Sequence, residues 1–148
     1  MKVRLLLTLA GLAIGFAVPA LAQEQNTVDP EVRRQIEAVQ MKFDEAFNKY
    51  DAAACAAFFT QDGVEIIRTW SEGGLASGQQ ALEERFASVF ASTPRKLSHK
   101  LLQLYPVGND VCAISQISLP PVDATGHYVV TIFVRDADDW KVRVSYVY

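Results

Sequence analysis

Two side chains in this sequence have the type and setting to move a proton, Glu65 and His99. Glu65 lies in Val64–Trp70, a run rich in β-branched and aromatic residues that reads as a strand, and it alternates with Ile66. A carboxylate held in an apolar pocket can accept a proton from a ligand and return it elsewhere. On the other face of the strand the same residue would be an ordinary solvated charge. His99 alternates with Leu97, Leu101, Gln103 and Tyr105, a face of mixed polarity such as a ligand pocket presents. Imidazole titrates near neutral pH, which suits acid–base work, although surface and core histidines are commonplace. Four further residues complete the candidate pocket. Gln116 shares a face with Cys112 and Ile114, so its amide either reaches a pocket or points outward from the sheet. Tyr146 shares a face with Trp140, Val142 and Val144, and strict alternation puts that apolar set, with the phenol, on the inner side. Tyr50 and Trp70 are expected as aromatics of the core and rim. His127 opens a strand at the rim, and Arg68 reads as a surface charge.

Other chemistries lack their residues. There is no Ser-His-Asp arrangement, no glycine loop that would cradle phosphate and no zinc-ligand spacing, so neither a cofactor nor a metal is expected. Cys55 and Cys112 have no neighbouring cluster of His, Asp or Glu that would complete a metal site. In an oxidising compartment they can form a disulfide, and otherwise they are two separate small hydrophobes.

The elements that must hold these residues follow from punctuation and periodicity. Asp29-Pro30 starts a helix, and Val32, Ile36, Val39, Phe43, Ala46, Phe47 and Tyr50 fall on one stripe of it. Asp51 caps a second helix over Ala52–Phe59. Asp62-Gly63 marks a turn before the Val64–Trp70 strand, and Leu75-Ala76 reads as a short return strand. Ser77-x-x-Gln80 is a capping box for a third helix ending near Ala91. Four segments then read as sheet: Leu97–Tyr105, Val111–Leu119, His127–Arg135 and Trp140–Tyr148. Helices followed by a run of long strands give an α+β domain. Long twisted strands curl, so the expected shape is a cone, a curved antiparallel sheet wrapped around the N-terminal helix with two shorter helices beside it.

The first 22 residues read as an export signal. Lys2 and Arg4 precede an apolar stretch that ends in Ala20-Leu21-Ala22. The stretch contains Gly11, Gly15 and Pro19 and is short for a membrane span. The organisation expected is a signal peptide over 1–22, a flexible N-terminus over 23–29 and one α+β domain over 30–148, in the periplasm or secreted. Loss of Lys2 and Arg4 leaves 12 basic against 17 acidic side chains. A negative chain with no basic cluster is a poor nucleic-acid binder and a poor ligand for anionic membranes.

The ordered motifs Phe43-x-x-Ala46-x-x-x-x-Asp51-x-x-Ala54, Phe59-x-x-Asp62-Gly63-Val64 and Ser77-Gly78-x-x-Ala81-Leu82, with Trp140 after an acidic turn, resemble the SnoaL-like and ketosteroid-isomerase-like domains of the nuclear transport factor 2 superfamily. The resemblance covers about residues 30–148. It implies a conical pocket and embraces isomerases, cyclases, dehydratases, hydrolases and non-catalytic binding domains, so it does not choose a chemistry. Two departures stand out. Asp138-Asp139 replaces the glycine usual before the last strand, and Val142–Tyr148 carries none of the histidines that many relatives place there. The function expected is therefore binding of a small, largely apolar ligand, in a homodimer formed through the outer sheet face. The alternative is a cofactor-free isomerase, cyclase or dehydratase using Glu65 or His99 as its base.

Overall fold

A 19-residue helix, α1 (Pro30–Asn48), lies across the hollow of a six-stranded sheet and divides its own surface between the two environments. The Asp29 carboxylate accepts from the Glu31 N–H at 2.7 Å and Pro30 opens the first turn, so the helix begins where its sequence signals it. The computed structural model describes residues 28–68, 73–92, 95–120 and 123–148. The signal segment 1–22 and Trp70 lie outside the described residues.

After α1 come α2 (Ala52–Ala57), β1 (Phe59–Ile67), β2 (Gly74–Ser77), α3 (Gln79–Ser92), β3 (Ser98–Val107), β4 (Asp110–Leu119), β5 (Asp123–Asp136) and β6 (Asp139–Val147). The strand order is β2-β1-β6-β5-β4-β3, antiparallel throughout except for the parallel pair β1–β6. The sheet is curved and unclosed, an α+β arrangement as expected. β3 runs through Pro106, which the sequence suggested as its end. It is an edge strand, where a residue lacking an N–H costs no ladder bond.

Asp51 caps α2 by accepting from the Ala54 N–H at 2.9 Å. Replacing it with alanine leaves that donor without its acceptor. The Asp51→Ala variant is expected to lose about 1 kcal/mol, read as a lower urea midpoint at unchanged slope.

β1 begins earlier than the sequence suggested because Asp62-Gly63 does not interrupt it. Phe59 pairs with Val142 of β6, and the register resumes at Val64 opposite Val144, with an irregularity between. A Cβ at Gly63 would sit 2.8 Å from the Phe59 Cβ, so only glycine lets the chain pass so close to itself there.

β6 carries a second irregularity with larger consequences. Phe133 of β5 faces Val142 while Ile132 faces Val144, so Arg143 is an extra residue. The bulge reverses the alternation. Trp140 and Val142 point inward before it, and Ser145 and Val147 point inward after it. Three rows of inward side chains result. One runs Phe59–Val142–Phe133–Val111, the next Glu65–Ser145–Thr131–Ala113 and the third Ile67–Val147–Val129–Ser115. The core lies between these rows and the helices, with Ile36, Cys55, Leu82 and Phe133 inaccessible or nearly so. Each large apolar side chain so buried contributes about 1.5–3 kcal/mol.

Candidate functional site

Between α1 and the inner sheet face is a cavity of about 70 Å³, several times the ~10–15 Å³ that one water needs. Its helical wall is apolar and aromatic: Phe43 and Phe47 from α1, Phe58 after α2 and Phe86 from α3. Phe43 meets Phe58 and Phe86 edge-on, with centroids 5.6 and 5.8 Å apart. The sheet wall mixes apolar groups with Glu65, His99, Thr131 and Ser145, and Gln40 joins them from α1.

His99 is held in a defined pose. Its Nδ1 lies 2.6 Å from Asp44 Oδ1, and its backbone N–H donates to Asp44 Oδ2 at 2.8 Å. The ring also stands edge-on to Phe43, 6.0 Å between centroids. An acceptor at Nδ1 fixes the proton on that nitrogen in the neutral ring, and Nε2 then carries the lone pair. Both side chains are largely buried, at 12% exposure for His99 and 16% for Asp44. A carboxylate-oriented imidazole on the wall of an apolar cavity is equipped to accept a proton from a ligand and give it back.

Glu65 is 6% exposed and faces the cavity from β1. Arg85 of α3 brings its Nε to 2.9 Å from Glu65 Oε2, with the N–H off the line to the oxygen, so the contact is an ion pair more than a directed hydrogen bond. Burial pushes the Glu65 carboxyl up to about 7, and the guanidinium opposes that rise without cancelling it. The carboxyl is therefore shared between acid and base forms near neutral pH.

Three other candidates fall outside the cavity wall. Tyr146 is on the outer face, its hydroxyl 3.5 Å from Arg68 Nη1, because the Arg143 bulge inverts the expected alternation. Gln116 also points outward, since Ala113, Ser115 and Ile117 take the inner positions of β4. Tyr50 has φ of 59°, is 40% exposed and stacks edge-on against Phe90, with Lys96 Nζ 4.7 Å over its ring. The disulfide is corrected as well, since both cysteines are free. Cys55 is buried among the helices and Cys112 is on the outer sheet face, on opposite sides of the β-layer. Burial, helped by Asp51 and Glu65, pushes the Cys55 thiol up to about 12, so it behaves as a small hydrophobe.

No family model matches the chain, and no curated protein matches it. Solved structures do. A cystatin-like domain of unknown function from Nostoc punctiforme superposes with a TM-score of 0.67 at 14% identity, covering 81% of this chain and 78% of the other. A ketosteroid isomerase-like protein from Erwinia carotovora atroseptica gives 0.64 at 20% identity, covering 80% and 96%. An NTF-2 like protein of unknown function from Shewanella oneidensis gives 0.67 at 12% identity, covering 78% and 98%. The fold is nuclear transport factor 2-like. At these identities the likeness is one of architecture, and the chemistry of this NTF2-like domain rests on its own residues.

Several of those residues carried little or no signal in the sequence. Asp44 sits beside Phe43 at the edge of the apolar stripe of α1 and looks like a surface acid until β3 is placed against it. Gln40 did leave a trace, a polar residue one turn after Ile36 and one turn before Asp44. It is buried, and its Nε2 donates to Ser115 Oγ at 2.8 Å, tying α1 to β4. Replacing Gln40 with leucine strands the Ser115 hydroxyl in an apolar setting. The Gln40→Leu variant of this NTF2-like domain is expected to lose about 1–3 kcal/mol, much of it regained in Gln40→Leu/Ser115→Ala, as read by denaturant melts of the four forms.

Proposed function

We propose that this NTF2-like domain binds a small, largely apolar molecule in its cone and moves a proton on it without a cofactor, as an isomerase, cyclase or dehydratase does. The observation that carries the reading is the Asp44–His99 pair on the wall of an otherwise aromatic cavity. It supplies an oriented base on β3, in place of histidines on the last strand. The aromatic helical wall favours a ring-shaped ligand.

The test is a thermal-shift and native mass-spectrometry screen of small alicyclic and aromatic compounds. Each hit is then incubated in heavy water and followed by NMR for deuterium uptake. Hits that exchange faster than in buffer support the reading. Hits without exchange leave a binding domain and remove the proton transfer. A screen with no hit removes both.

We also propose export and self-association. The signal-like segment 1–22 supports export, and material recovered from a periplasmic or culture fraction should then begin at Gln23. The outer sheet face supports a homodimer. Val64, Val144 and Ile132 form one of its rows and Ile66, Tyr146 and Val130 the next, all only half-buried. A contiguous apolar face of this kind is a common partner surface. Sedimentation equilibrium giving a monomer at micromolar concentration would remove the dimer.

A further inference from the structure

Asp44 and Asn48 lie one turn apart on the same face of α1, and each grips one residue of the chain that enters β3. Asn48 holds Leu97 at both backbone groups. The Leu97 N–H donates to Asn48 Oδ1 at 2.7 Å, and Asn48 Nδ2 donates to the Leu97 carbonyl at 2.9 Å. Asp44 takes the His99 backbone N–H on one carboxylate oxygen and the ring Nδ1 on the other. The pose of the ring is thereby tied to the position of the β3 backbone. The spacings of the two elements match. Four residues of helix rise about 6 Å, and two residues of strand span roughly 6.6 Å. Two side chains of α1 thus stand in for a neighbouring strand along the outer edge of β3.

That grip decides which residue of β3 meets Asp44. β3 is an edge strand, with β4 its one neighbour among the described residues, and its register against β4 shifts between Leu101 and Gln103. The bulge uncouples Ser98–Leu101 from the regular pairing beyond it. A slip of one residue there would bring Ser98 or Lys100 to Asp44 and turn the imidazole to the other face of the sheet. Leu97 is two residues before His99 and lines the same cavity, so holding its backbone holds His99 inward. Lys96 acts differently. Its Nζ donates to the Asn48 carbonyl at 2.7 Å and lies 4.7 Å over the Tyr50 ring, so it steadies the end of α1 through a flexible side chain and sets no register.

We propose that Asn48 is a positioning residue for His99, holding β3 in the register in which the imidazole meets the Asp44 carboxylate. This rests on the proton-transfer reading above and adds to it a residue that is not on the cavity wall. Asn48 acts only through the backbone at Leu97.

The experiment follows the His99 ring nitrogens by long-range ¹H–¹⁵N NMR, on the alkaline plateau of the ring's titration, in wild type, Asn48→Ala, Asn48→Asp and Lys96→Met. Wild type should show one neutral tautomer, with the proton on Nδ1. Asn48→Ala should show a mixture, the two nitrogens drawn toward a common averaged shift. Lys96→Met keeps the Asn48–Leu97 bonds. It should lower the melting temperature and leave the tautomer unchanged. Asn48→Asp keeps the acceptor for the Leu97 N–H and loses the donor to its carbonyl. It should give an intermediate shift, and it decides the matter if Asn48→Ala does not fold. A single Nδ1–H tautomer in Asn48→Ala, or in Asn48→Asp where the alanine variant does not fold, overturns the assignment. Equal mixing in Lys96→Met also overturns it, since loss of stability alone would then explain the change. The measurement needs no ligand. Its failure leaves the proton-transfer reading to the screen above, and failure of that screen leaves the placement of His99 decided here.

Discussion

Arg85→Met is expected to destabilise the protein by about 1 kcal/mol more at pH 8 than at pH 5. The reason is the Glu65 carboxyl, which is 6% exposed and has the Arg85 Nε at 2.9 Å. Methionine keeps most of the packing of the arginine stem and removes the charge. Without its counter-charge the carboxyl is raised further, so at pH 8 folding of the variant requires uptake of a proton that the wild type has largely released. At pH 5 the folded wild type and the variant both hold that proton, and this penalty disappears. The wild type shows the same linkage in weaker form. Its Glu65 is raised from 4.5 to about 7 on folding. Below about 4.5 both folded and unfolded states hold the proton, and the contribution of this group to stability is at its highest. Between 4.5 and 7 the native state keeps a proton that the unfolded chain has lost, so stability falls as pH rises. Above 7 the loss is complete, on the order of 3 kcal/mol.

Other carboxylates act in the opposite sense. Asp62, held low mainly by its hydrogen bond from Thr60, contributes stability that is lost in acid. The Glu65 component is therefore read as the difference between wild type and Glu65→Gln, by urea denaturation at fixed ionic strength across that range. Adding Glu65→Leu to Arg85→Met should restore most of the stability at pH 8. An Arg85→Met loss of equal size at pH 5 and pH 8 would show that the guanidinium acts through packing and not through charge.

The second large effect concerns His99. On the proposed function, His99→Gln is expected to lower the rate of deuterium uptake by a bound ligand by about 10²–10⁴-fold, the usual contribution of a positioned general base. Binding of the same ligand should change little, since the aromatic wall is untouched. Asp44→Asn should give a loss of the same kind for a different reason. An amide can offer its N–H to His99 Nδ1, which moves the ring proton to Nε2 and removes the lone pair from that nitrogen. Asp44→Ala should in addition lower stability by about 2–3 kcal/mol, because it strands the backbone N–H of His99 as well as the ring. Combining Asp44→Asn with His99→Gln should cost little more activity than either alone, as expected of two groups acting as one unit. Full additivity of the two losses would separate the residues mechanistically. Unchanged exchange in His99→Gln would leave Glu65 as the candidate base.

The sequence by itself determined the elements and much of their facing. The caps at Asp29 and Asp51, the apolar stripe of α1 and the alternation along β4 are local properties, written in steps of two or of three and four residues. Those steps sufficed to describe a helix-first α+β cone and to single out Glu65 and His99, both of which line its cavity. What surrounds those two residues was decided only by the tertiary structure. Asp44 and His99 are 55 positions apart, Gln40 and Ser115 are 75 apart, and no local pattern records such pairs. Ser145 and Tyr146 exchanged their expected faces for a related reason. β6 must match β1 on one side and β5 on the other, and the extra residue Arg143 absorbs the mismatch between the two registers. Alternation is counted along one strand, whereas a bulge is set by the neighbours of that strand. The inward hydroxyl of Ser145 therefore becomes visible only once the sheet has been assembled.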